Sequence, residues 1–563
     1  MTLETFFEKF DLFADAPNAV AKMREIVLRL AVQGKLSSQI PGDAPVAELC
    51  EALSRARNER IKSGERRLQA ATGDSDSMDR PIMTPEHWAW VPLNQIGGLS
   101  GGMTPSKAKS TYWDGEVNWF SSKDIKPDEL TDSGLKVTSE GVEATGLQLY
   151  PPGCLFMVAR SGILKRTFPV SINRVKATAN QDLKVLTPFL SGLERYLQIM
   201  FRGMTDFILS SLVKTGMTVQ SLKYEEFEVQ PFPLPPLAEQ KRIVAKVDEL
   251  MALCDRLEAQ QQERETQHAA LARASLTRFA DAPTPANLPF LFHPSYTIPP
   301  ADLRKSILTL AVQGKLVPQD PNDEPAEEVV KRIRSEKAHL VAAGELKRER
   351  AIPKTDNSVV LYDLPNGWCW SQLGDLSLTV TSGSRDWAAH YSNEGAIFVR
   401  MGNLSRNSYR LRMDKIQCVA PPSNAEGDRT RLEAGDILIS ITGEVGLLGL
   451  IPDGFGEAYI NQHICLVRLP QELQNRFIPE FFRSPFAQEH FNAPQRGLKN
   501  SFRLTDVTTL PTPLPPLAEQ RRIVAKVDQL MGLVDELETQ LAASRAIAEK
   551  LMEAVVAELT TQD

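Results

Sequence analysis

The chain contains the same long segment twice, and this repeat constrains the fold more than any other feature. Residues 234–251 read LPPLAEQKRIVAKVDELM, and residues 514–531 read LPPLAEQRRIVAKVDQLM, with two differences and a separation of 280. The same separation relates AVQGKL at residues 31–36 to AVQGKL at residues 311–316. The chain is therefore two copies of one long unit, in which some parts are held fixed and others have diverged.

Length and composition narrow the class of protein. A chain of 563 residues predicts several cores. The six cysteines include no CxxC pair, which argues against a disulfide framework or a zinc site and suits a reducing compartment. No secretory leader and no apolar run of about 18 residues is present, so we expect a cytoplasmic protein without membrane segments. The net charge of −7 is unlike that of a typical nucleic-acid binder, although a local face can still be positive.

Each copy divides by pattern into a helical arm, a mixed domain and a long helix. The arms have apolar residues at helical spacing, and the mixed domains are short apolar runs cut by Gly, Pro, Asn and Asp. The predicted fold class is α+β, with two mixed α/β domains separated by long helices. The predicted boundaries are 1–80 and 300–350 for the arms, 85–232 and 365–512 for the mixed domains, and 233–280 and 513–563 for the long helices.

Apolar residues in the two long helices alternate at spacings of four and three, which predicts a coiled coil. Each helix is the obvious partner of the other, and two near-identical helices pair most simply about a pseudo-two-fold axis. The alternative is that each is an ordinary amphipathic helix on its own domain. The predicted seam consists of Ile243, Val247, Leu250 and Leu257 in the first helix and Ile523, Val527, Leu530, Val534, Leu537 and Leu541 in the second. The same stripe is expected to continue through Leu551 towards the end of the second helix.

Catalytic signatures are missing from the sequence. The chain has no complete GxxxxGK[ST] phosphate loop, no methyltransferase tetrapeptide of the NPP[YF] type and no histidine pair at metal spacing. Asp182-Leu-Lys184 resembles part of a nuclease motif, but its counterpart in the other copy is His463-Ile-Cys465. We therefore interpret the chain as a binding protein without bound cofactor or metal.

The mixed domains share a skeleton despite their divergence. GDILISITG at residues 435–443, followed by Asn461 and Gln462, matches residues 153–162, followed by Asn180 and Gln181. We favour a role for these amide side chains in hydrogen bonding to backbone within the fold. Contact with a ligand is the alternative.

Together, PLPPLAEQ followed by RIVAKVD, the AVQGKL arms, the Trp-x-Trp entries to the mixed domains and the GDILIS...INQ skeleton resemble the specificity subunit of type I restriction-modification systems. The resemblance implies that each mixed domain is a target recognition domain for one half of a bipartite, asymmetric sequence in double-stranded DNA. It also implies an antiparallel coiled coil that sets the spacing between the half-sites. The fixed segments would dock identical partners twice.

The same resemblance implies the partners and the chemistry. Two methyltransferase subunits would use S-adenosylmethionine to methylate adenine N6, and two restriction subunits would translocate DNA with ATP and magnesium. The chain itself would be non-catalytic and would direct these partners.

Side chains that read bases are expected in matching loops of the two domains, because Arg, Lys, Asn and Gln reach base edges in the major groove. The second domain relies on Arg, which suits bidentate contact with guanine. The candidates are Thr104, Ser106, Lys107, Lys123 and Gln220 in the first domain and Ser384, Arg385, Arg400, Asn403, Asn500 and Arg503 in the second.

Three other functions are compatible with parts of the pattern. An orphan specificity subunit would guide methylation only. A scaffold protein would use the coiled coil for assembly and would not read DNA. A fused methyltransferase or nuclease is disfavoured by the missing motifs.

Overall fold

In the computed structural model, the chain divides into two units, and each unit contains residues from both long helices. One unit comprises Met1–Glu263 with Ser544–Asp563, and the other comprises Arg264–Ala543. The structure describes residues 18–64, 80–216, 219–346, 362–383, 387–421, 428–492 and 502–561, together with positions 16 and 385.

The arms are helical, as predicted. Each has two helices joined by a turn in which a glycine with positive φ packs on the Pro and Trp that begin the mixed domain. In the first arm, Gly34 has a φ of 73°, and a Cβ there would lie 2.5 Å from the Pro85 ring. Gly314 repeats this against Pro365 in the second arm. The arm helices are Ala19–Val32, Val46–Lys62, Pro300–Val312 and Ala326–Ala342.

The first mixed domain has a five-stranded sheet as its main core, with two three-stranded sheets and a two-stranded sheet beside it. The central strand of the five-stranded sheet, Leu155–Val158, is apolar, and all of its residues are buried. The strands are Ala89–Pro92, Gly97–Gly101, Trp113–Phe120, Glu129–Leu130, Lys136–Val137, Leu155–Val158, Arg160–Ser161, Val170–Asn173, Ala177–Ala179, Leu183–Pro188, Val213–Lys214, Gln220–Leu222 and Pro231–Leu234. The α-helices are Leu93–Ile96, Ser139–Thr145, Glu194–Gly203, Thr205–Ser211 and Tyr224–Val229.

The second mixed domain repeats the central strands and differs around them. Its two main sheets have four strands each, and Ile437–Ser440 takes the place of Leu155–Val158. The strands are Cys369–Gln372, Thr379–Ser382, Tyr391–Ser392, Ala396–Val399, Gln417–Val419, Ile437–Ser440, Leu448–Leu450, Ala458–Ile460, Ile464–Arg468 and Pro511–Leu514. The α-helices are Leu373–Leu376, Phe477–Arg483, Pro485–Asn492 and Leu504–Thr508.

The two long helices, which we call the central helix and the C-terminal helix, span Leu237–Asp281 and Leu517–Thr561, with 45 residues each. In the first unit, Leu250 and Cys254 share a buried cluster with Met552 and Val555. In the second unit, Phe279 of the central helix shares one with the start of the C-terminal helix. Each unit thus joins the start of one helix to the end of the other, as an antiparallel pair requires. The α+β fold class with two mixed domains and two long helices is confirmed.

The seam residues are apolar and mostly buried, with one change in register. Seven predicted positions are fully buried, and Leu257, Leu537 and Leu541 are half-buried. Near the end of the C-terminal helix, the buried residue is Met552, whereas Leu551 is 38% exposed. The spacing from Ala548 to the next buried position is therefore four residues.

Contacts within each unit explain why the LPPLAEQ segment is kept. The Gln240 side chain donates to the carbonyl of Pro235 at 2.8 Å, and Gln520 donates to Pro515 at 2.9 Å. Arg242 pairs with the arm residue Asp43 at 2.6 Å, and its counterpart in the second unit, Arg522, pairs with Asp323 at the same distance. The arginines tie each long helix to its arm, and the glutamines hold the turn before the helix, so the retention of these residues has an internal structural cause in addition to the docking role implied by the resemblance.

The glutamate of the same segment is buried in both units but has different partners. Glu239 accepts hydrogen bonds from Ser37 at 2.9 Å and contacts His87 at 2.7 Å. Glu519 accepts from Gln319 at 3.1 Å and from the Trp368 indole at 3.0 Å. Burial raises the pKa of the Glu519 carboxyl, partly offset by these hydrogen bonds.

Substitutions of Glu519 test this arrangement. Because the pKa is raised in the folded state, folded protein binds the proton more tightly, and stability falls as pH rises from the ordinary value of 4.5 towards the raised one. Glu519→Gln should remove this pH dependence and keep an acceptor for Trp368. Glu519→Ala should cost about 1–3 kcal/mol, because the buried indole N–H loses its partner. Urea unfolding of both variants between pH 4 and about 8 measures the difference, and equal stability of the two variants would contradict the assignment.

Candidate functional site

Loops from several strands of the first mixed domain meet at one end of its sheets. Strands Trp113–Phe120 and Ala177–Ala179 are parallel neighbours, so the loops that follow them, containing Lys123 and Gln181, leave the same edge. The loop after Gly97–Gly101 joins them, because the amide of Met103 donates to the carbonyl of Ala179 at 2.8 Å.

The three-stranded sheet formed by Val213–Lys214, Gln220–Leu222 and Arg160–Ser161 adds basic side chains to this end of the domain. Ser221 lies directly between Arg160 and Lys214 in the antiparallel register, so the three side chains share one face. The amide of Arg160 donates to the carbonyl of Asp182 at 3.1 Å, which attaches this sheet to the Gln181 turn. We call residues 102–109, 121–124, 160–163, 180–182 and 214–221 the first loop cluster; its residues 217–218 lie outside the described part.

The second mixed domain builds a corresponding cluster. Strands Ala396–Val399 and Ala458–Ile460 are parallel, which places Arg400 and Asn461 at one edge. The amide of Ile441 donates to the carbonyl of His463 at 2.9 Å, and the amide of Phe502 donates to the carbonyl of Ile441 at 3.0 Å. The second loop cluster consists of residues 383–390, 400–403, 441–443, 461–463 and 502–503, of which 384 and 386 are not described.

Most of the predicted DNA-reading residues lie in these clusters and reach solvent. Ser106, Lys107, Lys123, Arg385 and Arg503 are exposed, and Thr104 and Arg400 are half-buried. Ser384 and Asn500 lie outside the described residues.

Two predicted residues are buried, and the prediction that they face DNA is wrong. Gln220 is 3% exposed, and its amide donates to the carbonyl of Gly216 within the hairpin loop. Asn403 is 5% exposed. Its Oδ1 accepts from the amide of Arg400 at 2.9 Å, and its Nδ2 donates to the carbonyls of Arg412 and Lys415. Both side chains hold loop backbone, a role that residue type alone did not distinguish from base contact.

The shared Asn-Gln pair behaves partly as predicted. Asn180 Oδ1 accepts from the amide of Asp182 at 3.1 Å, and Asn461 Oδ1 accepts from the amide of His463 at 3.1 Å. The backbone role of the asparagines is confirmed. Gln181 is instead exposed, where its Oε1 accepts from the Thr104 hydroxyl, and Gln462 contacts the His463 ring.

The charged side chains in and around the two loop clusters differ in whether they have a partner nearby. In the second domain, Arg406 is paired with Glu444 at 3.0 Å. Within the part of the chain that the structure describes, the guanidinium groups of Arg385 and Arg503 form no ion pair, although the Arg503 backbone amide donates to the Asp506 carboxylate at 2.8 Å. In the first domain, a hydrogen bond with the Tyr112 hydroxyl raises the pKa of Lys109. Arg160 was missed by sequence reasoning, although a charged residue two positions after the buried strand Leu155–Val158 is a detectable signal.

The described residues offer neither a metal cluster nor a membrane-spanning helix. No group of three or more His, Cys, Asp or Glu side chains there is arranged to hold a metal ion. Likewise, no described helix is long and apolar enough to cross a membrane.

Comparison with known proteins agrees with the repeat. The family model described as the type I restriction modification DNA specificity domain matches residues 85–265 and 365–544, more than half of the chain. The EcoEI specificity subunit of Escherichia coli is 26% identical over 95% of this chain and 92% of its own length. The EcoAI specificity subunit of Escherichia coli is 27% identical over 94% and 91%.

Among solved structures, one chain from work on complex assembly and conformational transition of the type I R-M system covers 85% of this chain. The match extends over 99% of the length of that solved chain, with 19% sequence identity and a TM-score of 0.47. The two matched domains, at the separation of the internal repeat, decide the assignment: this chain belongs to the family of type I restriction-modification specificity subunits.

Proposed function

We propose that each mixed domain reads one half of a bipartite, asymmetric DNA target through its loop cluster. The observation that carries the proposal is the contrast between scaffold and loops. The ion pairs that join arm and helix, such as Arg24 with Asp255 and Arg304 with Asp535, recur at a separation of 280 residues, whereas the loops of the two clusters differ in sequence. One scaffold with two dissimilar surfaces suits one reaction directed by two different half-sites.

The two clusters have different chemistry. The second offers Arg385, Arg400 and Arg503, whose guanidinium groups suit bidentate contact with guanine. The first offers Lys107, Lys123, Arg160 and Lys214 among exposed apolar side chains, which suits phosphate contacts and contact with thymine methyl groups. The exposed apolar residues there are Met103 at 46%, Ile163 at 37% and Val219 at 40%. The second domain is thus expected to prefer a half-site with guanine, and the first a half-site with A·T pairs.

The paired long helices would set the distance between the half-sites. An α-helix rises about 1.5 Å per residue, so a 45-residue helix is about 68 Å long. A rigid antiparallel coiled coil of this kind would make the number of unread base pairs a fixed property of the complex.

The chemistry would be performed by partner subunits. Two methyltransferase subunits would supply S-adenosylmethionine and methylate adenine N6, and two restriction subunits would supply ATP-driven translocation with magnesium. The chain would act in the cytoplasm as a non-catalytic subunit that positions both on DNA.

Methylome sequencing tests the proposal. Cells with the gene and its methyltransferase partner are expected to carry N6-methyladenine in one bipartite motif, and cells without the gene should lack it. Methylation without any bipartite motif, or an unchanged methylome, would contradict the proposal and favour a scaffold role. If the complex methylates previously unmethylated target DNA but never cleaves it, the chain is the methylation-only form.

Arginines of the second cluster provide a sharper test. Arg385→Ala and Arg503→Ala are each expected to relax the preference for one base pair in the half-site read by the second domain, by about 1–3 kcal/mol for a bidentate contact. The other half-site should be unchanged. Methylation rates on duplexes with single substitutions measure the effect, and Arg406→Ala, which removes the pair with Glu444, is the control. An equal loss on every sequence would instead indicate phosphate contacts.

A further inference from the structure

The two charged residues of Asp182-Leu-Lys184, which resembles part of a nuclease motif, are held apart in the structure. The Lys184 ammonium lies over the Tyr224 ring, 4.2 Å from its centroid. Asp182 lies in the first loop cluster, where its Oδ2 accepts from Asn180 Nδ2 at 3.3 Å. Within the described residues, its carboxylate forms no ion pair and belongs to no group able to hold a metal ion. An unpaired carboxylate therefore stands among the residues expected to meet DNA.

The turn that carries Asp182 does not require an acid at this position. The carbonyls of Asn180 and Asn461 close the same turn in the two domains, each accepting from the amide three residues on, at 3.3 Å and 3.2 Å. Two residues after the asparagine, the first domain has Asp182 and the second has His463. Asp182 is half-buried and His463 is exposed. Because one backbone turn accommodates a carboxylate and an imidazole, the turn does not explain the choice of either side chain.

The other charged residues of the first loop cluster make this carboxylate unusual. The only other acid of the cluster, Asp124, accepts from the amide and the hydroxyl of Ser121 at 2.8 Å and 2.7 Å, so it stabilises its own loop. The basic side chains are all exposed, and DNA phosphates would attract them. Phosphates repel a carboxylate, so Asp182 should lower the affinity for every DNA sequence. A base that donates a hydrogen bond to the carboxylate would offset this loss. The exposed basic residues are Lys107, Lys109, Lys123, Arg160 and Lys214.

The hydrogen-bond donors of the major groove identify the base. They are the amino groups at cytosine N4 and adenine N6. Adenine also presents the N7 acceptor beside its amino group, and an acceptor repels a carboxylate, so cytosine is the better match. We infer that Asp182 reads the N4 amino group of a cytosine in the half-site bound by the first domain. The inference rests on the proposed function and adds one C·G pair to a half-site otherwise expected to contain A·T pairs.

Selection of bound duplexes tests the inference. The complex of this chain with its methyltransferase partner is mixed, without S-adenosylmethionine, with duplexes randomised in both half-sites, and the bound duplexes are sequenced. Wild type should select a bipartite motif with one C·G pair in the half whose sequence Arg385→Ala leaves unchanged. Asp182→Ala should lose about tenfold selectivity at that pair and keep the rest of the motif.

The isosteric change Asp182→Asn sharpens the test. An amide both accepts and donates, so it matches the N6 and N7 edge of adenine, and the preference at the same pair should move from cytosine to adenine. Asp182→His introduces the residue of the matching turn and should keep the wild-type melting temperature, which separates loss of reading from loss of the turn. The control is Glu143→Gln, which removes an exposed acid from helix Ser139–Thr145, outside the loop cluster.

Three results would overturn the inference and leave the proposed function intact. The first is a wild-type motif without a C·G pair in this half. The second is unchanged selectivity in Asp182→Ala and Asp182→Asn, where a uniform gain in affinity would identify the carboxylate as a repulsive charge alone. The third is a lower melting temperature of Asp182→His, which would show that the turn needs the acid. If wild type selects no bipartite motif, the proposed function itself fails.

Discussion

Replacing Gly102 by alanine is expected to abolish the methylation that we propose this chain directs. The new Cβ would lie 2.1 Å from the carbonyl oxygen of Ala179 and 2.2 Å from that of Asn180. Both obstacles are backbone atoms of the turn that carries Gln181, so no side-chain rotation relieves the overlap. Overpacking of this kind costs about 1–3 kcal/mol or more and displaces one loop of the cluster from another.

The internal repeat supplies a second version of the test. Gly383→Ala should have the same effect, because its Cβ would meet the carbonyl oxygens of Ile460 at 2.2 Å and Asn461 at 2.3 Å. Gly134→Ala is the control, since this glycine lies outside both loop clusters and no atom lies within 4 Å of its added Cβ. Methylation of a target duplex by the complex is the measurement, and thermal unfolding separates a displaced loop from an unfolded domain. Wild-type methylation rates in Gly102→Ala or Gly383→Ala would contradict the close approach of these backbone segments.

Asp436→Ala is expected to cause the largest loss of stability, about 3 kcal/mol, because it leaves a partly buried arginine without its main partner. Asp436 is 1% exposed and accepts from Arg468 Nε at 2.8 Å and from its Nη2 at 2.7 Å. Arg468 keeps a weaker pair with Glu433 at 2.7 Å, which places the cost at the lower end of the range for buried pairs.

The first copy shows how the same place is filled without charge. The strand registers match Cys154 to Asp436 and Thr187 to Arg468, and Cys154 Sγ lies 3.4 Å from Thr187 Oγ1. The double variant Asp436→Cys with Arg468→Thr should therefore be more stable than the sum of the single changes indicates, by about 1–3 kcal/mol.

Urea unfolding gives these free energies, and hydrogen exchange of strand Ile437–Ser440 assigns them to the second unit. The exposed pair of Arg406 with Glu444 is the control, and its loss should cost less than about 1 kcal/mol. Additive costs of the two single changes would show that the pair is not coupled.

Much of the fold was predictable because the strongest signals were local or repeated. The heptad spacing located both long helices and most of their buried seam, and the failure at Leu551 arose because the buried position moved to Met552. A one-residue change of this kind depends on which partner side chain is opposite. The backbone role of Asn180 and Asn461 was predictable from their position between two strands.

The candidate DNA-reading surface was predictable only in part. Charged residues such as Lys107, Arg385 and Arg503 reach solvent because their desolvation is unfavourable wherever the loop goes. Gln220 and Asn403 have amide groups that serve backbone or DNA equally well, and the path of the surrounding loop decided between them. Arg160 gained its place only through the register that sets it opposite Ser221.

The sequence by itself determined that the chain is two copies of one unit, that its long helices carry an apolar seam, and that its mixed domains diverge where they would read DNA. These properties follow from periodicity and identity along the chain. The tertiary structure alone decided which loops meet, because parallel strands distant in sequence end at a common edge. It also showed that Glu239 and Arg242 contact the arm of their own unit, which gives their retention an internal structural cause.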